Sequence, residues 1–153
     1  GQQVIPGNGS GSGDNGSNNN GNNPDDNDDN NDDTPVSNNL KITIGPVSFN
    51  ATLENNETAK AFKRLLPMTV DMSELHGNEK YYYLSNGLPT ASSNPGTIRT
   101  GDLMLYGSTC VVLFYETFST SYTYTRLGRI TNPSGLASAL GSGGVNVTFE
   151  ITD

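Results

Sequence analysis

The chain of 153 residues has no tryptophan, one cysteine and one histidine. One cysteine excludes an internal disulfide. It also leaves Cys110 without the companions that a redox pair or a thiolate metal site requires. A thiol nucleophile needs a base beside it and an electropositive setting. The one imidazole, His76, lies far from Cys110 in sequence, so Cys110, inside an apolar run, reads as a small buried core residue. His76 sits in "LHGNEK", read as a turn, with Glu74 and Glu79 beside it as surface carboxylates. No Ser-His-Asp arrangement is defensible. "GSGSG" has neither a strand before it nor a helix after it, as a phosphate loop would need. No apolar run is long enough to span a membrane as a helix. No catalytic residue, metal site or cofactor is therefore expected.

Positive charge is missing from one part of the chain. Residues 1–39 carry seven aspartates and no lysine or arginine, whereas residues 40–153 hold nine acidic and eight basic residues. The formal charge of −8 thus belongs almost wholly to the first segment, and the near-neutral remainder gives no electrostatic footprint for nucleic acid. "NNPDDNDDNNDD" invites a calcium reading, but a calcium loop needs glycine at its sixth position and glutamate at its twelfth. Started at Asp26 these positions are Asn31 and Ser37; started at Asp28 they are Asp33 and Asn39. Residues 1–39 read instead as a disordered, self-repelling Asp/Asn/Gly/Ser-rich tail or linker. "GQQVIPG", without an initiator methionine, reads as a processed or engineered end. An acidic spacer suits an exported, lipid-anchored bacterial protein, which gives the expectation of an extracytoplasmic location.

Residues 40–153 read as one domain. Leu40, Ile42 and Ile44 alternate with polar residues, "GP" marks a turn, and Val47, Phe49, Ala51 and Leu53 alternate again, which is a hairpin with one buried face. A helix follows, with Asn55 or Asn56 as its cap. Ala59, Phe62, Leu65 and Leu66 form its apolar face, Lys60, Lys63 and Arg64 point outward, and Pro67 ends it. Strands are expected over 68–75, 80–84, 102–106, 109–116 and 123–130, with a long polar loop between the second and third of these. A second helix starts at Asn132 as cap with Pro133 in its first turn, and ends at Gly141. The last strand alternates at Val145, Val147, Phe149 and Ile151. Eight strands suit a closed antiparallel barrel filled by side chains, with two helices over its open ends.

This order, with "GDLMLYG", "CVVLFYETFSTS" and "LGRI", and with "NETAKAFKRLLPMT" in the place of a first helix, resembles the cyclophilin fold, and within it the small bacterial cyclophilin-like proteins. The resemblance spans about Leu40 to Ile151. It implies an eight-stranded barrel with two capping helices. It also implies a proline-binding face on which an arginine of the third strand favours the twisted transition state of an X-Pro bond. Here the third strand is "MTVDMSEL", without arginine, and the tryptophan and late histidine of cyclophilins are absent. Efficient prolyl isomerisation is not expected.

The aromatic-rich segments "YYY" and "YETFSTSYTYTR" point to a groove for a peptide or small ligand, lined by Tyr82, Arg99, Phe118, Tyr122 and Arg126. On a strand, Tyr82 faces opposite to Tyr81 and Tyr83, while Tyr122 and Tyr124 share a face. The expected function is a monomeric, non-catalytic binding domain. A weak peptidyl-prolyl isomerase relying on Arg99 is the alternative, and a structural or adhesion module is a third reading.

Overall fold

The computed structural model describes residues 36–153. Of the tail expected over 1–39, residues 1–35 lie outside the described residues, and Asn39 already opens the first strand. The described chain runs β1 (Asn39–Ile44), β2 (Val47–Leu53), α1 (Glu57–Lys63), β3 (Met68–Leu75), β4 (Glu79–Tyr83), β5 (Thr97–Ile98), β6 (Asp102–Tyr106), β7 (Cys110–Phe114), β8 (Phe118–Ser119), β9 (Thr125–Ile130), α2 (Leu136–Leu140) and β10 (Val145–Ile151). Eight of these strands close an antiparallel barrel in the order β1-β10-β3-β4-β7-β6-β9-β2, with β2 hydrogen-bonded back to β1. β5 and β8 form a separate two-stranded ribbon; β5 lies in the long polar loop that sequence gives, and β8 between the strands expected over 109–116 and 123–130. Among the described residues no helix is long and apolar enough to cross a membrane.

Period-two alternation fills the barrel. Leu40, Ile42 and Ile44 of β1, Phe49, Ala51 and Leu53 of β2, Val70 and Met72 of β3, and Val147 and Phe149 of β10 are buried in one cluster. Phe62 of α1 and Leu136 and Leu140 of α2 join the same cluster, and Phe62 packs edge-on against Phe149 at 5.7 Å. β6 and β7 differ. Every residue from Asp102 to Leu105 and from Cys110 to Phe114 is buried. Leu103, Leu105, Val111 and Leu113 face the barrel cluster, while Met104, Cys110, Val112 and Phe114 belong to a second one. These strands are covered on both faces, which is why they read as a continuous apolar run rather than an alternation.

Asn56 caps α1: its Oδ1 accepts from the Ala59 amide at 2.8 Å, and its Nδ2 donates to the Arg126 carbonyl at 3.0 Å, which fastens the helix to β9. The expected faces of this helix need correction at two residues. Leu65 is exposed because the regular helix stops before it. Lys63 is buried, and its Nζ donates to the Ser37 carbonyl at 3.0 Å. The second helix is also shorter than expected. Asn132 accepts from Ser134 N in a turn, and α2 begins only after Gly135, whose φ of 84° breaks continuity with Pro133. Gly141 ends α2, as the sequence indicates.

Candidate functional site

The second cluster lies outside the barrel, on the outer wall made by β4, β7 and β6. Alternation along β4 decides its composition. Tyr82 packs against the barrel cluster, whereas Tyr81 packs against the outer one. A cover lies over this wall: Ile98 of β5, Phe118 of β8, and Tyr122 and Tyr124 from the segment before β9. The cover is held by few bonds. Thr97 and Ile98 pair with Ser119 and Phe118, Ser93 and Tyr124 exchange two backbone hydrogen bonds, and Thr120 N donates to the Gly96 carbonyl.

Five rings run through the layer in unbroken contact. Tyr122 meets Tyr106 at 6.0 Å, Tyr106 meets Tyr124 at 5.5 Å, Tyr124 meets Phe114 at 5.6 Å, and Phe114 meets Phe118 at 5.7 Å. Phe114 and Tyr124 are buried, while Tyr106, Phe118 and Tyr122 are half-buried, so both ends of the chain of rings reach the surface.

Glu79 sits at the foot of this layer. It pairs in register with Phe114, and strand alternation puts it on the side of Tyr81 and Tyr83. It is fully buried, and neither of its carboxylate oxygens has a hydrogen-bond partner. Burial, and after it the charge of Glu74, push its carboxyl up to about 8. Cys110 shares the layer. Burial first, then the charge of Glu79, push its thiol up to about 12, which keeps it protonated and unreactive.

The opposite side of β4 carries a satisfied charge. Lys80 is fully buried, and its Nζ donates to Glu74 Oε1 at 2.9 Å, Gly141 O at 2.8 Å and Gly143 O at 2.6 Å. Glu74 also accepts from the Tyr115 hydroxyl at 2.7 Å and from Gly77 N at 2.6 Å. Burial works against its ionisation, but the bonds from Lys80, Tyr115 and Gly77 outweigh it and hold the carboxyl below its ordinary range. The expectation that Glu74 and Glu79 are surface carboxylates therefore fails at Glu79.

The five residues expected to line a groove are not brought together. Phe118 and Tyr122 belong to the aromatic layer, and Tyr82 faces the barrel. Arg99 and Arg126 meet at a different place, around Asp102. That carboxylate is fully buried and accepts from Arg99 N at 2.8 Å and from Arg129 Nε at 3.4 Å, with Arg126 NH1 at 4.0 Å. Residues three apart on a regular strand face opposite ways. A bulge opposite Leu103 and Met104 lets Arg126 and Arg129 approach the same carboxylate. The Arg99 side chain is exposed.

Glu79, Tyr106, Phe114 and Tyr124 escape a reading of the sequence as a site. The signal for them is the apolar run of β6 and β7, which implies a cover on the outer face. Among the described residues, no three His, Cys, Asp or Glu side chains converge as a metal site would require.

Comparison with known proteins agrees with this architecture. The model of the cyclophilin-like family matches residues 42–150. The solution structure of a hypothetical protein from Archaeoglobus fulgidus superposes with a TM-score of 0.51, at 20% identity, over 78% of this chain and 98% of that one. No curated protein matches the chain. A closed eight-stranded barrel with these helices, matched from β1 to β10 by one family model, is a cyclophilin-like domain, and the chain belongs to the cyclophilin-like family.

Proposed function

We propose that this domain is a non-catalytic binding module, and that its ligand, a peptide or small molecule, docks on the outer wall of β4, β7 and β6. The observation that carries this reading is the chain of five aromatic rings lying outside the barrel. A barrel needs apolar side chains inside; a second aromatic layer outside it, covered by a ribbon paired over only two residues per strand, is surplus to closing the barrel. Its half-buried rims at Tyr106, Phe118 and Tyr122 offer flat apolar surface with hydroxyl groups, the composition of a ligand site.

Two features favour binding over isomerisation. The outward positions of β3 are Thr69, Asp71 and Ser73, none of which can donate the guanidinium bond that isomerisation uses. The guanidiniums of Arg126 and Arg129 are drawn to the Asp102 carboxylate. The acidic, glycine- and asparagine-rich segment before the domain suits a spacer, and we place the protein outside the cytoplasm, tethered by its N-terminal side, as part of the same proposal.

A proton–nitrogen correlation spectrum titrated with a mixed X-Pro peptide library tests the reading. Shifts gathered on Ile98, Tyr106, Phe118 and Tyr122 are expected. Shifts confined to other faces would overturn it, and exchange cross-peaks between cis and trans peptide would replace it with an isomerase.

A further inference from the structure

We propose that the aromatic layer receives an organic cation, a quaternary or methylated ammonium group, with the Glu79 carboxylate as its counter-charge. The inference rests on the binding reading above and narrows its ligand class.

Three observations converge on it. Glu79 is fully buried, and both its oxygens lack a partner. A buried carboxylate that is not hydrogen-bonded is costly, and native structures keep one mainly where something else completes it. Its surroundings are the aromatic layer: Phe114, within the chain of rings, is its register partner, and the Tyr124 hydroxyl and Cys110 thiol lie close enough to feel its charge without bonding either oxygen. An alkylated ammonium group is the ligand that fits such a place. It carries no strong donors that would need further acceptors, its charge is attracted to ring faces, and its apolar shell tolerates a dry site. A metal ion would want more oxygen or nitrogen ligands than converge here.

Glu79 has no exposed surface, so entry requires the cover over this wall, to which the β5–β8 ribbon belongs, to move. The ribbon pairs Thr97 with Ser119 and Ile98 with Phe118, flanked by the bond from Thr120 N to the Gly96 carbonyl and by those between Thr100 and the Thr117 hydroxyl. Glu79 is held protonated near neutral pH by burial and by Glu74, so the cation displaces a proton: the carboxylic acid gives up H⁺ to solvent as the ammonium enters, and net charge in the site is unchanged. The ionisable groups facing Glu79 are Glu74 from β3, Cys110 from β7, and Tyr124 from the cover. The first is already ionised, and the other two are held protonated by burial, so Glu79 is the group that titrates.

The test compares three probes on the whole chain by NMR: choline, its uncharged carbon isostere dimethylbutanol, and the X-Pro peptide library. Choline is expected to shift Phe114, Phe118 and Tyr122. Its affinity should increase about tenfold for each unit by which pH rises toward the Glu79 value, as expected when only the ionised form binds. Glu79→Gln, which keeps the shape and removes a buried acid, should fold with an unchanged spectrum elsewhere. It should lose choline binding by about tenfold or more and lose the pH dependence. Tyr122→Leu should weaken choline more than dimethylbutanol. Equal binding of choline and dimethylbutanol, or choline binding untouched in Glu79→Gln, would overturn the cation while leaving the binding face standing. Peptide shifts on this wall without choline shifts would do the same. Silence from all three probes would remove both readings.

Discussion

Glu79 and Lys80 are neighbours on β4, both without exposed surface, and they are treated oppositely: the ammonium has three acceptors, and the carboxylate has no partner. Strand alternation is the cause. One residue points to the barrel's end, where Glu74 and the carbonyls after α2 converge, and the next points into the aromatic layer. Charge burial is tolerable when hydrogen-bonded and expensive when not. β4 therefore carries one charge that closes the fold and one that the fold leaves incomplete.

The incomplete one makes stability depend on pH in a stated direction. The folded state holds the Glu79 proton up to about 8, well above the ordinary carboxylate range. Below that ordinary range both states are protonated and nothing is lost. As pH rises toward 8 the unfolded chain ionises first, so stability falls by up to about 1.4 kcal/mol per pH unit. Glu74, with its lowered value, loses its contribution only on the acid side, outside this window. Denaturant midpoints measured between pH 5 and pH 8 should fall for the natural chain. They should stay level for Glu79→Gln, which should be the more stable protein at pH 8 by about 2–4 kcal/mol.

Lys80 predicts the opposite response to removal. Lys80→Met leaves Glu74 without its cation and the carbonyls of Gly141 and Gly143 without their donor. Breaking a buried pair by deleting one partner costs about 3–5 kcal/mol. Urea unfolding should register that loss, and Lys80→Arg should not restore it. The guanidinium is larger and planar, whereas the three acceptors surround a compact ammonium.

Much of this fold is legible from pattern. The alternating strands β1, β2, β3 and β10, and the cap at Asn56, follow from hydrophobic period and turn chemistry. Residues buried by distant partners carry no such pattern. Lys63 looks like a solvated helix residue and is buried against Ser37. β5 and β8 are two residues long, too short for any period to register, and exist because they pair with each other across the wall. Glu79 next to a turn carries no local mark of burial. Its environment comes from β7 and from the cover, far along the chain. Arg99 and Arg126 read as groove residues; what brings Arg126 to Asp102 beside Arg129 is a bulge that sequence does not announce.

That bulge makes Asp102 a hub, and the two oxygens of its carboxylate can be separated experimentally. Asp102→Asn keeps an acceptor for Arg99 N–H but removes the charge that draws Arg126 and Arg129. Asp102→Ala removes both. Arg126 and Arg129 are substantially exposed, so their ion pairs contribute little, whereas the buried amide bond contributes more. Asp102→Asn should cost under about 1 kcal/mol and Asp102→Ala about 1–3 kcal/mol by thermal unfolding.

Gly128 decides whether the barrel closes on that side. It sits on β9 opposite Leu53 of β2, and a Cβ there would stand 2.5 Å from the Thr52 carbonyl oxygen and 3.1 Å from Leu53 Cα. Both are backbone atoms of a hydrogen-bonded neighbour, so neither can swing aside as a side chain would. Accommodating a methyl group requires β2 and β9 to separate where they are paired over only three residues. Gly128→Ala should therefore cost about 2–3 kcal/mol, at the upper part of the range for overpacking a core. It should also speed amide exchange at Glu54, whose N–H donates to the Leu127 carbonyl, and at Arg129 ahead of the rest of the barrel. Gly45→Ala is the contrast. Nothing lies within 4 Å of a Cβ at Gly45, and its penalty comes from its φ of +59° alone. That should cost about 1 kcal/mol and leave the exchange pattern of β2 and β9 unchanged. If Gly128→Ala proved as mild as Gly45→Ala, the close approach of β9 to β2 would not be a requirement of closure.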